Sequence, residues 1–160
     1  MPGRLEGKAA LVTGGGTGIG EAAAVALAAE GAAVAITGRR LDKLEGVRSR
    51  LGGKGIAIQS DVAVEADALR AVDEAAQKLG RLDIVVNSAG VNEYGGIQEL
   101  DLAGWRRVIE INLMGTIYTC KAAVPHLKAA GGGDIVNISS TAGRRAAAAF
   151  ASYALSLIHI

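Results

Sequence analysis

The segment Thr13-Gly14-Gly15-Gly16-Thr17-Gly18-Ile19-Gly20 lies between a short apolar run, residues 8–13, and an alanine-rich stretch, residues 21–30. An apolar run that ends in clustered glycines and continues into strong helix formers predicts strand, tight turn and helix in direct succession. Glycine permits backbone angles closed to other residues and lets a bulky anion approach the main chain. The start of the following helix adds free N–H groups and the positive end of a dipole, which together favour a phosphate. A glycine run alone is common to many tight turns. The strand–turn–helix setting is what points to a bound pyrophosphate.

The same alternation continues along the chain. Strands are predicted at 32–37, 55–60, 83–87 and 134–139, and helices at 41–51, 65–79, 101–110 and 112–130. Leu69, Val72 and Ala76 fall on one stripe of the helix at 65–79, and Leu102, Trp105 and Ile109 on one face of that at 101–110. Residues 83–87 form a nearly continuous apolar run, the pattern of a strand covered on both faces. Residues 91–100 read as a loop broken by Gly95-Gly96, and Gly131-Gly132-Gly133 stops the long helix. The alanines at 146–149 suit either a helix or a small-residue loop. Strand and helix in regular alternation specify an α/β domain, a doubly wound parallel sheet with helices on both faces.

Bulk properties narrow the function classes. A length of 160 residues suits one domain with a real core. Seventeen basic residues against sixteen acidic ones leave a net charge of +1, without the basic surface of a nucleic-acid binder. Aromatic residues at 3% argue against base stacking on single strands. Cys120 stands alone, so an internal disulfide is excluded and a reducing compartment is expected. Residues 1–8 carry charges and no apolar run, and no stretch is long enough to span a bilayer. A cytoplasmic protein without a metal is the expectation.

Gly14, Gly18 and Gly20 follow a GxxxGxG spacing, and with the preceding threonine and the Gly-Ile-Gly ending the turn resembles that of the short-chain dehydrogenase/reductase family. The resemblance implies a Rossmann-like sheet of strand order 3-2-1-4-5 with the later strands missing. It also implies that Gly14, Gly16, Thr17, Gly18, Ile19 and Gly20 cradle a nicotinamide dinucleotide. In dinucleotide folds an acid after the second strand holds the ribose 2′-OH, whereas an arginine accommodates a 2′-phosphate. Here the strand ends Thr37-Gly38-Arg39-Arg40, so Arg39 favours NADP over NAD. The alternative is that both arginines are merely a solvated approach to the next helix. Family members place the aspartate of Ser60-Asp61-Val62 near the adenine, while from the residues alone Asp61 suits the cap of the helix at 65–79.

Asn87-Ser88-Ala89-Gly90 resembles the family's Asn-Asn-Ala-Gly, with serine in place of the second asparagine. Asn87 would tie neighbouring strands through its amide, and Ala89 and Gly90 would leave the cofactor a passage. Asn112 matches the asparagine that kinks a family helix and holds a proton-relay water. Ser140 matches the serine that hydrogen-bonds the reacting oxygen, with Ser139 its near neighbour. Tyr153, thirteen residues on, matches the general acid–base. The reaction so implied is NAD(P)(H)-dependent interconversion of a small-molecule carbonyl and an alcohol, by a homotetramer or homodimer.

One departure is serious. Holding a tyrosine ionised at pH 7 costs about 4 kcal/mol, which family members offset with a lysine four residues later. Position 157 is Leu157. We therefore expect residues 1–154 to form an incomplete NAD(P)-binding domain and residues 155–160 to be a non-native tail. Leu155-Ser156-Leu157-Ile158-His159-Ile160 can be encoded CTG TCT CTT ATA CAC ATC, a transposase end sequence used in preparing sequencing libraries. The chain as given is then expected to be inactive and, with its fifth strand a bare apolar edge, to fold poorly. A natural terminus would instead suit a non-catalytic nucleotide-binding or sensor domain. An extended relative such as a nucleotide-sugar epimerase usually shows GxxGxxG, a different spacing. A 3-oxoacyl thioester, a small hydroxy acid and a sugar alcohol all remain open as substrate. Arg144 and Arg145 read either as contacts to an acidic substrate or as solvated loop charges.

Overall fold

The computed structural model describes residues 3–145 and 149–160. Five strands, β1 (Ala9–Thr13), β2 (Ala33–Gly38), β3 (Gly55–Gln59), β4 (Ile84–Asn87) and β5 (Asp134–Asn137), form one sheet. Every neighbouring pair is parallel and the order is β3-β2-β1-β4-β5, so the strand order reverses between β1 and β4. The helices are α1 (Gly18–Ala29), α2 (Leu41–Arg48), α3 (Glu65–Leu79), α4 (Leu102–Val108), α5 (Gly115–Ala129) and α6 (Ala151–Leu157). This is the Rossmann-like α/β architecture the alternation predicts. The stretch 146–148, where helix and loop were both open, lies outside the described residues.

The period-two alternation of strand side chains divides the core into two layers. Leu11, Ala35 and Val85 point to one face and pack with Ala71, Val72 and Ala75 of α3 and Ala123 and Leu127 of α5. Ala10, Val12, Val34 and Ile36 point to the other and meet Ala24 of α1 and Leu44 and Val47 of α2. Leu11 and Ile36 are fully buried, each stabilising the fold by about 2–3 kcal/mol through lost contact with water.

Several boundaries differ from expectation. α1 begins at Gly18 instead of residue 21, so Gly18-Ile19-Gly20 form its first turn. α2 stops at Arg48, since Gly52 at φ +71° turns the chain before β3. The two helices predicted over 101–130 are one continuous rod, α4 running into α5 through a π-helical turn at Ile109–Met114. Leu102, grouped with Trp105 and Ile109 on one face, is 70% exposed, because this rod is anchored by Val108 and Ile111. β5 ends at Asn137, not Ser139. Asp61 does not cap α3, whose N-cap position is Val64. Asp61 Oδ1 instead accepts from Ala63 N at 3.0 Å, and its own N–H donates to Asp67 Oδ2 at 2.7 Å.

Candidate functional site

In an open parallel sheet ligands collect outside the carboxyl ends of the strands where the order reverses. That place is built here by Thr13 at the end of β1. Its buried Oγ1 accepts from Ser88 N at 3.1 Å and Ala89 N at 3.2 Å, clasping the ends of β1 and β4 together. Gly14 follows at φ +65°, and a Cβ there would lie 2.8 Å from Ala89 Cα. Only glycine meets both conditions. The chain then enters α1, whose first-turn amides have no partner four residues back. Thr17 sits at the N-cap without a side-chain cap bond, and the space over Gly18 is open to at least 4 Å.

Above this turn lies a cleft of about 470 Å³. Gly14, Gly16, Thr17 and Ile19 line it, as do Arg39 after β2, Asp61 and Val62 after β3, and Asn87, Ala89 and Gly90 after β4. Asn112 and Tyr153 line it as well. Gly18 and Gly20 do not reach its wall; Gly20 lies beneath, where a Cβ would meet Gly14 O at 2.4 Å. Ser140 is also absent from the wall and Ser139 is present. Ser140 Oγ accepts from Ala142 N at 3.2 Å and caps a short 3-10 turn, Thr141–Gly143.

Asn112 is 2% exposed, inside the π-helical turn. Its Oδ1 accepts from Val91 N at 2.8 Å, while its Nδ2 donates to Val91 O at 2.9 Å and to Ser156 Oγ at 3.0 Å. Three hydrogen bonds offset the desolvation of a buried amide and fix both the loop after β4 and α6. Ser156 Oγ in turn donates to Tyr153 O at 2.8 Å within α6, so the Asn112 contact holds the helical turn that carries Tyr153. Asn87 Nδ2 donates to Asn137 Oδ1 at 2.8 Å and Cys120 Sγ at 3.3 Å, tying β4 to β5 and α5. Burial pushes the Cys120 thiol up from its ordinary value, against the weaker effect of that amide.

Two buried acceptors on the cleft residues Asn87 and Asn92, each an Oδ1, have no hydrogen-bond partner among the described residues. Together with the glycine cradle they fit a ligand that brings both phosphates and hydrogen-bond donors. Lys43 and Ser139 also line the wall, and no sequence signal singled out Lys43. It is brought in by α2, with its Cβ 3.2 Å from where a Cβ of Gly16 would lie. Leu157 and Ile160, in the segment expected to be a foreign tail, also line the cleft. Leu157 is only 6% exposed, and its carbonyl accepts from Ser139 Oγ at 3.3 Å. Among the described residues no helix is long and apolar enough to cross a membrane.

A parallel sheet of order β3-β2-β1-β4-β5 with its cleft at the reversal defines a Rossmann-like α/β protein. Residues 8–156 match the family model described as short chain dehydrogenase, and the chain belongs to that family. The D-threitol dehydrogenase of Mycolicibacterium smegmatis is 43% identical over 87% of this chain and 55% of its own length. The cyclohexanol dehydrogenase of Acinetobacter sp. (strain SE19) is 39% identical over 89% of this chain and 59% of its own. The structure of a short-chain type dehydrogenase/reductase from Mycobacterium ulcerans superposes with a TM-score of 0.92 at 38% identity, over 97% of this chain and 59% of that one. The chain thus spans about three-fifths of the length of the curated relatives it matches.

Proposed function

We propose that the full-length protein interconverts a carbonyl and an alcohol by hydride transfer with a nicotinamide dinucleotide, NADP(H) in preference to NAD(H). The observation that supports this is the single cleft shared by the glycine turn, the ends of β2, β3 and β4, Asn112 and Tyr153. Gly14, Gly16, Thr17 and Ile19 would border the pyrophosphate, Gly18 would open the helix start to it, and Gly20 beneath would let the turn pack closely. Arg39 would pair with a 2′-phosphate, Asp61 and Val62 would flank the adenine, and Asn87, Ala89 and Gly90 would border the path to the reactive ring. When bound, the dinucleotide supplies or accepts the hydride. The Tyr153 hydroxyl passes a proton to or from the substrate oxygen. Ser140, off the cleft wall with its Oγ accepting from Ala142 N, would donate its O–H to that same oxygen once the short 3-10 turn it caps moves toward the cleft. Asn112 holds α6, and with it Tyr153, against the cleft. The names of the relatives, a polyol and a cyclic-alcohol dehydrogenase, agree with an alcohol substrate. A cytoplasmic homotetramer or homodimer fits this reading.

With a native terminus, Leu157 would favour a second reading, a non-catalytic nucleotide-binding or sensor domain. It puts an aliphatic side chain where family members have the lysine that stabilises the phenolate. The experiment is NADPH binding and oxidation by the full-length protein against a panel of carbonyls. Turnover that Tyr153→Phe abolishes supports the enzyme; tight binding without turnover on any carbonyl supports the sensor. The chain ending at Ile160 is expected to turn over none of them. We further propose that residues 155–160 are foreign, and the gene tests this: any codons there other than the transposase end sequence would remove the idea.

A further inference from the structure

We propose that Asn92 is a specificity residue whose side-chain amide hydrogen-bonds a second hydroxyl of the substrate, so that the protein takes neutral diols and polyols in preference to simple alcohols. The inference rests on the carbonyl–alcohol reading of the cleft and names a substrate class within it. The second hydroxyl only binds, and takes no part in hydride or proton transfer.

The residues around Asn92 are fastened to other parts of the fold. Val91 gives both main-chain groups to the Asn112 side chain, the N–H at 2.8 Å and the carbonyl at 2.9 Å. Glu93 pairs with Arg107 of α4. Tyr94 lies against Phe150 with ring centroids 5.1 Å apart, and Gly95 N donates to Ala149 O at 3.0 Å, just before α6 begins. Residues 91–95 are thus held at both ends. Between these fasteners Asn92 lines the cleft, with Oδ1 buried and without a hydrogen-bond partner among the described residues. Such an acceptor weakens a fold, a cost that a bound donor removes. A half-turn about χ2 exchanges Oδ1 with Nδ2, so the amide meets a hydroxyl as acceptor or as donor.

The charge on the wall narrows the molecule that carries this hydroxyl. Among the described residues, Arg39, Arg40, Lys43 and Asp61 supply that charge, all from the ends of β2 and β3 and from α2. These elements lie on the far side of β1 from β4, the strand that leads to Asn92. The wall on the β4 and β5 side has Asn87, Val91, Ile111, Asn112 and Ile138, none of them charged. Arg144 and Arg145 are exposed and off the wall. A carboxylate or phosphate brought beside Asn92 would lose its hydration without a cation in return, whereas a hydroxyl has no charge to desolvate. The fixed loop also spares the amide most of the ordering cost of binding. A site built to hydrogen-bond a substrate hydroxyl rejects the analogue that lacks it.

The test is oxidation of cyclohexane-1,2-diol, cyclohexane-1,3-diol and cyclohexanol by the full-length protein with NADP+. At least one diol should exceed cyclohexanol about tenfold in kcat/KM. Asn92→Leu, of similar size without the polar end, should bring that ratio within about threefold by lowering the diol alone. A merely structural residue would lower diol and cyclohexanol alike. Asn92→Asp, which keeps an acceptor, should retain the preference. In the 160-residue chain Asn92→Leu should leave the urea midpoint unchanged or raise it, since the buried acceptor has no partner to lose. Three results would each overturn the inference and leave the oxidoreductase reading standing: activity without preference for a second hydroxyl, a preference that survives Asn92→Leu, or a lowered midpoint. No turnover of any alcohol or carbonyl would remove both.

Discussion

The side chain of Asn87 donates from Nδ2 to Oδ1 of Asn137 at 2.8 Å, joining two residues paired in register at the carboxyl ends of β4 and β5. Asn137→Ala leaves that buried donor only the thiol of Cys120, 3.3 Å away. The expected cost is about 1–3 kcal/mol, the penalty of a buried polar group short of its partner. It should appear as a lower urea midpoint with unchanged denaturant slope. An unchanged midpoint would mean that the amide pair does not hold β5 in place.

Gly14→Ala places a Cβ at φ +65° and 2.8 Å from Ala89 Cα, an overlap with backbone that no rotamer relieves. Destabilisation of about 2–4 kcal/mol is expected, with loss of nucleotide binding by titration. Gly46, inside α2 with nothing within 4 Å of an added Cβ, is the control. Gly46→Ala should stabilise by about 0.5–1 kcal/mol and leave binding unaffected.

Asp83 is 2% exposed and accepts from Arg81, Ala9 N and Lys8. The Arg81 guanidinium, then the Ala9 amide and the Lys8 ammonium, outweigh burial and hold its carboxyl down from 3.8 to about 2. The resulting stabilisation, about 2 kcal/mol, is complete above the unfolded value near 4 and vanishes as pH falls through 2. Asp83→Asn should flatten the acid limb of the stability profile between about pH 5 and 2, measured by denaturant titration at each pH. An acid limb as steep as that of the unmodified chain would show that other carboxylates govern it.

The outer strand β5 is exposed along its whole length, with Ile135 and Val136 37% and 45% accessible, beside exposed Ile117 and Val124 on α5. An unpaired apolar edge is a template for another chain. Sedimentation velocity should find self-association that Val136→Lys diminishes. A monodisperse monomer in the unmodified chain would contradict this, and a sharp, reversible thermal transition in that monomer would remove the expectation of poor folding.

Much of the fold was legible because strands, turns and helices are local: a continuous apolar run, a glycine cluster and helix formers each act within a few residues. Helix 65–79 matches α3 to the residue; of its predicted stripe Val72 and Ala76 lie in the core and Leu69 does not, the buried face being completed by Ala68, Ala71 and Ala75. The candidate site was legible only through motifs. Nothing local marks Lys43 or Ser139, which reach the cleft because α2 folds back over the glycine turn and β5 ends beside α6.

By itself the sequence determined the alternation of elements, the glycine turn between β1 and α1, and the chemistry available at each strand end, since these depend on propensity and short spacings. Tertiary structure alone decided that Asn112 lies in a π-helical turn bound to Val91 and Ser156, that Asp61 folds onto Asp67, and that Leu157 is buried in the cleft beside Tyr153. Each joins segments brought together only by packing against the finished sheet, where hydrogen-bond satisfaction of buried groups, not local preference, sets the outcome.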